Sequence, residues 1–153
     1  MTTEAKVDIR LASISDLPDL RFCARSAYAK YANRMDQEPA PMNADFERLV
    51  AQGFVHVARI GEEFVGYVVF FGEGDHLQLE NVAVLPIHSG KGIGKQLIEF
   101  VEATARNGGI RAVELYTNEA MTENLAMYPR LGFQETGRKR EDGFKRVFFR
   151  KSL

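Results

Sequence analysis

The chain has 153 residues, a formal net charge of -1, 45% hydrophobic and 27% charged residues, and one cysteine. That length suits a single domain over residues 1–153 with its own core, and one cysteine excludes an internal disulfide framework. No apolar run approaches the roughly 20 residues of a membrane helix, and the N-terminal MTTEAKVDIRLA lacks the basic-then-apolar layout of a secretory leader, so a soluble, cytoplasmic chain is expected.

Residues 7–12 alternate, with Val7, Ile9 and Leu11 on one face, and read as a strand. Ser15 is the expected N-cap of a first helix, with Asp16 and Asp19 in its first turn and Pro18 early enough to be tolerated. Leu17, Leu20, Ala24, Ala27, Tyr28 and Tyr31 then recur at helical spacing. Two prolines make 35–41 a loop, and Asn43 or Asp45 starts a short second helix through Phe46, Leu49 and Val50. Residues 54–60 and 64–71 flank a turn at Gly61-Glu62 as a hairpin. A second turn at 72–75 leads to a strand over 76–84, which Pro86 ends.

The clearest helix spans 91–107, with Ile93, Leu97, Ile98, Val101 and Ala105 as its stripe and Gly108-Gly109 as its stop. A strand at 112–117 and a short helix from about Thr122 to Leu131 follow. Residues 133–138 and 145–151 close the chain as a hairpin around Asp142-Gly143. The order βααβββαβαββ implies an α/β sheet layered with helices. Residues 138–153 carry seven basic and two acidic groups against 13 and 19 before them. Such a basic tail fits either a polyanion partner or a solvated hairpin face; the second is the expectation, and no nucleic acid is expected.

One segment carries ligand information. In VAVLPIHSGKGIGK a strand runs into a glycine-rich turn, and a helix follows at once. Residues without Cβ let backbone N–H groups approach a ligand, and the helix N-terminus adds unsatisfied donors and positive potential. Together they suit a phosphate or pyrophosphate, with Lys91 and Lys95 adding charge nearby. A Walker A loop fails here, because Ser89 stands at its first glycine and Gln96 follows Gly94-Lys95. A dinucleotide fingerprint counted from Gly90 fails at Lys95.

Val84-Leu85-Pro86 with Gly92-Ile93-Gly94, and Asn124 to Tyr128 with Leu131-Gly132-Phe133, together resemble the two signatures of the GNAT superfamily of acyl-CoA-dependent N-acyltransferases. The resemblance covers nearly the whole chain. It implies a GNAT-like mixed, mostly antiparallel sheet flanked by helices, with acetyl-CoA as co-substrate and a small-molecule or protein amine as acceptor. Two positions depart from the family pattern. Ser89 replaces the usual Arg or Gln, and Pro129 falls inside the last helix, where a kink or early end is expected.

The resemblance also implies roles. The backbone of Val82, Ala83 and Val84 would meet the pantetheine arm, and Ser89, Gly90, Lys91, Gly92, Ile93, Gly94 and Lys95 the pyrophosphate. Asn124 would touch the pantetheine or cap its helix, and Tyr128 would protonate the departing CoA thiolate, unless it serves only in aromatic packing. An ammonium must lose its proton before it attacks. Gln78, Glu80, Val82 and Val84 share one strand face, and Glu80 is the acid on it. Glu80 is therefore the expected base, with Glu114 or water as alternatives. Acceptor contacts are expected from Tyr28, Tyr31 and Met35, with Tyr116, Asn118 and Phe144; Tyr28 and Tyr31 also fit as core.

Cys23 lies on the first helical stripe and is expected to be a small buried hydrophobe. His56, His76 and His88 lack metal-ligand spacing, so no metal is expected. Dimerisation is common in such folds, yet no residue demonstrates it. A catalytically silent CoA-binding or sensing domain is the alternative function.

Overall fold

The computed structural model describes residues 6–153; the start of the N-terminal stretch lies outside them. Eleven elements follow the expected order: β1 (Asp8–Leu11), α1 (Leu17–Ala32), α2 (Phe46–Ala51), β2 (Val55–Ile60), β3 (Glu63–Glu73), β4 (His76–Val84), α3 (Ile93–Asn107), β5 (Ala112–Asn118), α4 (Thr122–Arg130), β6 (Gln134–Glu141) and β7 (Phe144–Ser152). The strands form one seven-stranded sheet in the order β1-β2-β3-β4-β5-β7-β6. β4 and β5 run parallel, whereas β1–β2, β2–β3, β5–β7 and β6–β7 are antiparallel. This is the mixed, mostly antiparallel α/β arrangement expected.

By its contacts the chain divides into two compact units. One takes residues up to Phe70 and Asn81–Glu99; the other takes Phe71–Glu80 and Phe100–Leu153. In the first, α1 and α2 bury Leu20, Cys23, Ala24 and Phe46 in a cluster with Val55, Val57, Tyr67, Val69 and Ala83. Phe46 meets the Tyr67 ring edge-on at 5.3 Å. Gly66 is required by close approach: a Cβ there would stand 2.6 Å from the Ala83 carbonyl oxygen.

The second unit buries Leu77, Leu79, Val101, Ala105, Val113, Leu115, Val147 and Phe149. Its parallel register sets Leu77, Gln78 and Leu79 opposite Val113, Glu114 and Leu115. Lys151 Nζ ties this unit together by donating to Glu102 Oε1 at 3.0 Å and to the Leu131 carbonyl at 2.8 Å.

Boundaries differ from the sequence reading at several places. Ser15 does not cap α1. A 3-10 turn over Ile14–Asp16 precedes the helix, and the Ser13 N–H donates to Asp16 Oδ2 at 2.8 Å. Of the two expected starts of α2, Asp45 is the one that caps it, by accepting from the Arg48 N–H, and a 3-10 turn over Ala40–Asn43 breaks the preceding loop. β3 runs on through Gly72 to Glu73, so the turn into β4 is tighter than 72–75. α3 begins at Ile93 rather than Lys91, because Gly90 and Gly92 both hold φ at 78°. β4 itself has the expected bounds of His76–Val84. α4 ends at Arg130, one residue short of the expected Leu131, with Pro129 inside the helix and Gly132 just beyond at φ 95°.

Candidate active site

In the first unit, β4 leads through a 3-10 turn (Pro86–His88) into the glycine turn and α3. Alternation along β4 buries Ala83 and leaves Val82 and Val84 half-buried. Gly90 and Gly92 adopt a backbone conformation that a side chain would strain. Gly94 keeps an ordinary φ, and a Cβ there would touch Val84 Cγ2 at 3.8 Å, an ordinary contact. The first turn of α3 carries no acid, and Lys95 lies in it, exposed. Ile93 is buried and anchors the helix start.

The polar side chains of this turn are internally engaged. Ser89 Oγ donates back to the Pro86 carbonyl at 2.7 Å, so at the position of the family's Arg or Gln it braces the loop. Lys91 Nζ lies 3.2 Å from His88 Nδ1, and His88 Nε2 lies 2.5 Å from Glu63 Oε2. A neutral His88 with its proton on Nε2 would donate to Glu63 and accept from Lys91. What the turn offers an anion is therefore first its backbone N–H groups.

Of the acceptor candidates in this unit, Tyr31 is buried at 5% exposure, with Lys30 and Arg34 over its ring at 5.0 and 5.1 Å. It belongs to the core rather than to an open surface. Met35 is half-buried. Tyr28 is half-buried, and its hydroxyl is directed to β4, within 2.9 Å of Asn81 Oδ1 and 3.0 Å of the Val82 carbonyl.

The second unit holds the expected acid and base. Glu80 is half-buried, and its Oε1 accepts from the Tyr116 hydroxyl at 2.7 Å. Burial, and then the neighbouring Glu80 charge, push the Tyr116 phenol well above its ordinary range, so Tyr116 remains a donor. The Arg146 guanidinium covers the Tyr116 ring at 4.3 Å and the Phe144 ring at 5.4 Å. Asn118 Oδ1 is engaged by the Ala120 N–H at 2.8 Å, closing the turn after β5. Glu114 is paired with Arg150 and lies 3.5 Å from His76 Nδ1. The Glu114 carboxylate is thus engaged by a guanidinium, and that of Glu80 by a phenol.

Tyr128 is buried, with its ring edge-on to Phe133 at 5.7 Å and tilted against Phe149 at 5.6 Å. Asn124 neither caps α4 nor stands apart from it: its Nδ2 donates to Thr117 Oγ1 at 3.1 Å and fixes the first turn of α4 to β5.

The basic end of the chain is largely neutralised within this unit. Arg150 pairs with Glu114 and Asp75, Lys151 with Glu102, Arg146 and Lys139 with Glu141, and Arg138 with Glu135. Arg150 and His76 hold the Asp75 carboxyl down at about 2. Among the described residues Asp75, His76 and Glu114 could in principle hold a metal ion, a grouping that sequence spacing could not reveal. Arg150 already bridges both carboxylates, and two positive charges compete poorly for them. Cys23 is fully buried, and burial, with Asp19 nearby, pushes its thiol up to about 12.

Two features escaped the sequence reading. Tyr116 reaches Glu80 across 36 positions, which only the β4–β5 register determines. Asn81 breaks the apolar inward pattern of Leu77, Leu79 and Ala83 on β4, and that break was legible as a sign of a buried polar contact.

The comparisons with known proteins agree with this geometry. The sequence model described as "Acetyltransferase (GNAT) family" matches residues 19–133, and the chain belongs to that family. N-acetyltransferase 8F1 of Rattus norvegicus is 32% identical over 127 residues, which is 78% of this chain and 57% of the rat protein. The chain therefore spans little more than half the length of that curated relative. Among solved structures, the PaiA N-acetyltransferase of Thermoplasma acidophilum, in complex with coenzyme A, shares the fold with a TM-score of 0.81 at 18% identity, over 97% of this chain and 99% of that one. A GNAT family acetyltransferase of Elizabethkingia anophelis with acetyl-CoA bound has a TM-score of 0.68 at 18% identity, over 96% and 98%. No helix among the described residues is long and apolar enough to cross a membrane.

Proposed function

We propose that the chain is an acetyl-CoA-dependent N-acetyltransferase acting on a primary amine by direct attack. The observation that carries this reading is the turn of Gly90 and Gly92, both at φ 78°, feeding straight into α3, in a chain that matches the family over 19–133. That match takes in residues of both compact units, which supports one acyltransferase domain. The groups present fit the co-substrate: a glycine turn offers N–H donors at a helix start, with Lys91 and Lys95 beside them. The backbone of Val82, Ala83 and Val84 would hold the pantetheine arm.

Acetyl-CoA supplies the acetyl group as an activated thioester. Glu80 takes a proton from the acceptor ammonium, and the freed amine forms the new N–C bond. Tyr116, a phenol that stays protonated, keeps Glu80 Oε1 engaged and leaves Oε2 to receive that proton. Tyr128 gives its proton to sulfur as the C–S bond breaks, and the resulting phenolate takes the second proton from the acylated nitrogen, which leaves free CoA, a neutral amide and a restored phenol. Its burial against Phe133 and Phe149 holds the ring in one orientation. Asn124 serves this reading by fixing the start of α4, the helix that carries Tyr128. Of the acceptor candidates, Met35 lies in the first unit and Tyr116, Asn118 and Phe144 in the second.

The alternative is a CoA-binding sensor without turnover, and Ser89, whose side chain is turned back on Pro86, favours it by removing one phosphate contact. Thermal melting with acetyl-CoA, NADH, ATP and single-stranded DNA tests the ligand class. At 100 times its dissociation constant, acetyl-CoA adds about 2.7 kcal/mol of stability. A shift with NADH or ATP but none with acetyl-CoA contradicts the proposal.

A further inference from the structure

In the first unit a run of polar contacts joins β3 and α1 to β4. Tyr67 is fully buried, and its hydroxyl accepts from Asn81 Nδ2 at 2.7 Å. Burial drives the Tyr67 phenol well above its ordinary range, so it stays a neutral hydroxyl. Asn81 is itself buried, and its Oδ1 lies 2.9 Å from the Tyr28 hydroxyl. The same hydroxyl lies 3.0 Å from the Val82 carbonyl. One phenol on a helix thus reaches two consecutive residues of a strand more than 50 positions away.

The strand's geometry says what that contact holds. The Ala83 carbonyl faces β3, since it crowds Gly66, and the Leu85 N–H donates to the Val65 carbonyl at 2.9 Å. Carbonyls alternate in direction along an extended strand. The Val82 carbonyl therefore points to the opposite edge, the edge that also carries the Val84 N–H. Because a peptide unit is a rigid plane, fixing the Val82 oxygen fixes the Ala83 nitrogen as well. Tyr28 pins that plane two residues before β4 ends.

We infer that Tyr28 is a positioning residue: through Asn81 and the Val82 carbonyl it sets the edge of β4 that receives the pantetheine arm of acetyl-CoA. This rests on the acetyl-CoA reading above. It gives Tyr28 a role different from acceptor contact or core filling. It also couples α1, on the acceptor side of that reading, to the fit of the acyl donor. The single phenol proton is shared between two acceptors on adjacent residues of the one strand assigned to the donor.

The experiment is calorimetric titration of the full chain with two ligands, acetyl-CoA and 3′-phospho-ADP, the latter being the nucleotide half of CoA without its pantetheine arm. In Tyr28→Phe the affinity for acetyl-CoA falls about tenfold, the equivalent of one lost hydrogen bond, while that for 3′-phospho-ADP stays within about twofold. Tyr67→Phe, which loosens Asn81 from behind, moves the ratio of the two affinities in the same direction by less. It also supplies the test should Tyr28→Phe fail to fold. Equal losses for both ligands would mean a merely structural role and overturn the inference, as would an unchanged ratio in both variants. Wild-type protein that binds neither ligand would instead take down the acetyl-CoA reading itself.

Discussion

Gly66→Ala tests the close approach of β3 to the end of β4. The added Cβ would stand 2.6 Å from the Ala83 carbonyl oxygen, 3.3 Å from Val84 Cα and 3.5 Å from Leu97 Cδ1. The two nearest atoms are backbone, so the strand itself has to move. Overpacking of this kind costs roughly 1–3 kcal/mol. In a chain of this size each kcal/mol lowers Tm by about 2–4 °C, so the expected fall is about 2–12 °C. Gly72→Ala is the internal control. It lies in the same strand without a left-handed φ, and its Cβ would meet nothing within 4 Å. That variant stays within about 0.5 kcal/mol of wild type. Both are read by urea denaturation and thermal melting, with and without acetyl-CoA. Because Ala83 and Val84 are the displaced residues, the stabilisation by acetyl-CoA also shrinks in Gly66→Ala and not in Gly72→Ala. Equal stability of the two variants would refute the packing argument.

Three further outcomes follow from the same geometry. Tyr128→Phe lowers the rate of thiol release by about a hundredfold or more while acetyl-CoA affinity stays nearly intact, as loss of a general acid requires; an unchanged rate removes Tyr128 from the mechanism. Cys23, whose thiol lies at about 12, holds only about one part in ten thousand as thiolate near pH 8. It should resist a thiol-reactive probe until the chain is unfolded in urea, and rapid labelling of the folded protein would contradict its burial. Lys151→Met leaves the buried Glu102 with only Arg106 at 3.8 Å and costs about 3 kcal/mol, the low end for a broken buried pair. The double variant with Glu102→Leu recovers most of that loss in a denaturation experiment.

What the sequence disclosed was local. β4 was legible to the residue, because its two-residue alternation ends at a proline, and the glycine turn announced itself by composition. α4 ended within one residue of the expected Leu131. What stayed hidden depends on register. No pattern along the chain places Tyr116 on Glu80, or Arg150 on Glu114 and Asp75, because those contacts follow from how β4, β5 and β7 align. The uneven charge of the last sixteen residues looked like a surface signal partly for the same reason. Glu102 and Glu114, the partners of Lys151 and Arg150, are distant in sequence, whereas Arg138, Lys139 and Arg146 pair with acids within five positions. Ser15 was misplaced as a cap because Ser13, Ser15 and Asp16 are all good capping residues, and only the 3-10 turn decides among them.

The central claim is that this chain moves an acetyl group from acetyl-CoA to an amine with Glu80 as the base. The most direct measurement is free-thiol release from acetyl-CoA across a panel of small amines, amino acids and peptides, with the acetylated product weighed by mass spectrometry, for wild type and Glu80→Gln. The account predicts thiol release equal in amount to one acetylated amine, and a loss of turnover in Glu80→Gln that higher pH partly restores by deprotonating the amine in solution. Thiol release with no acetylated amine, or identical kinetics in Glu80→Gln, would contradict it.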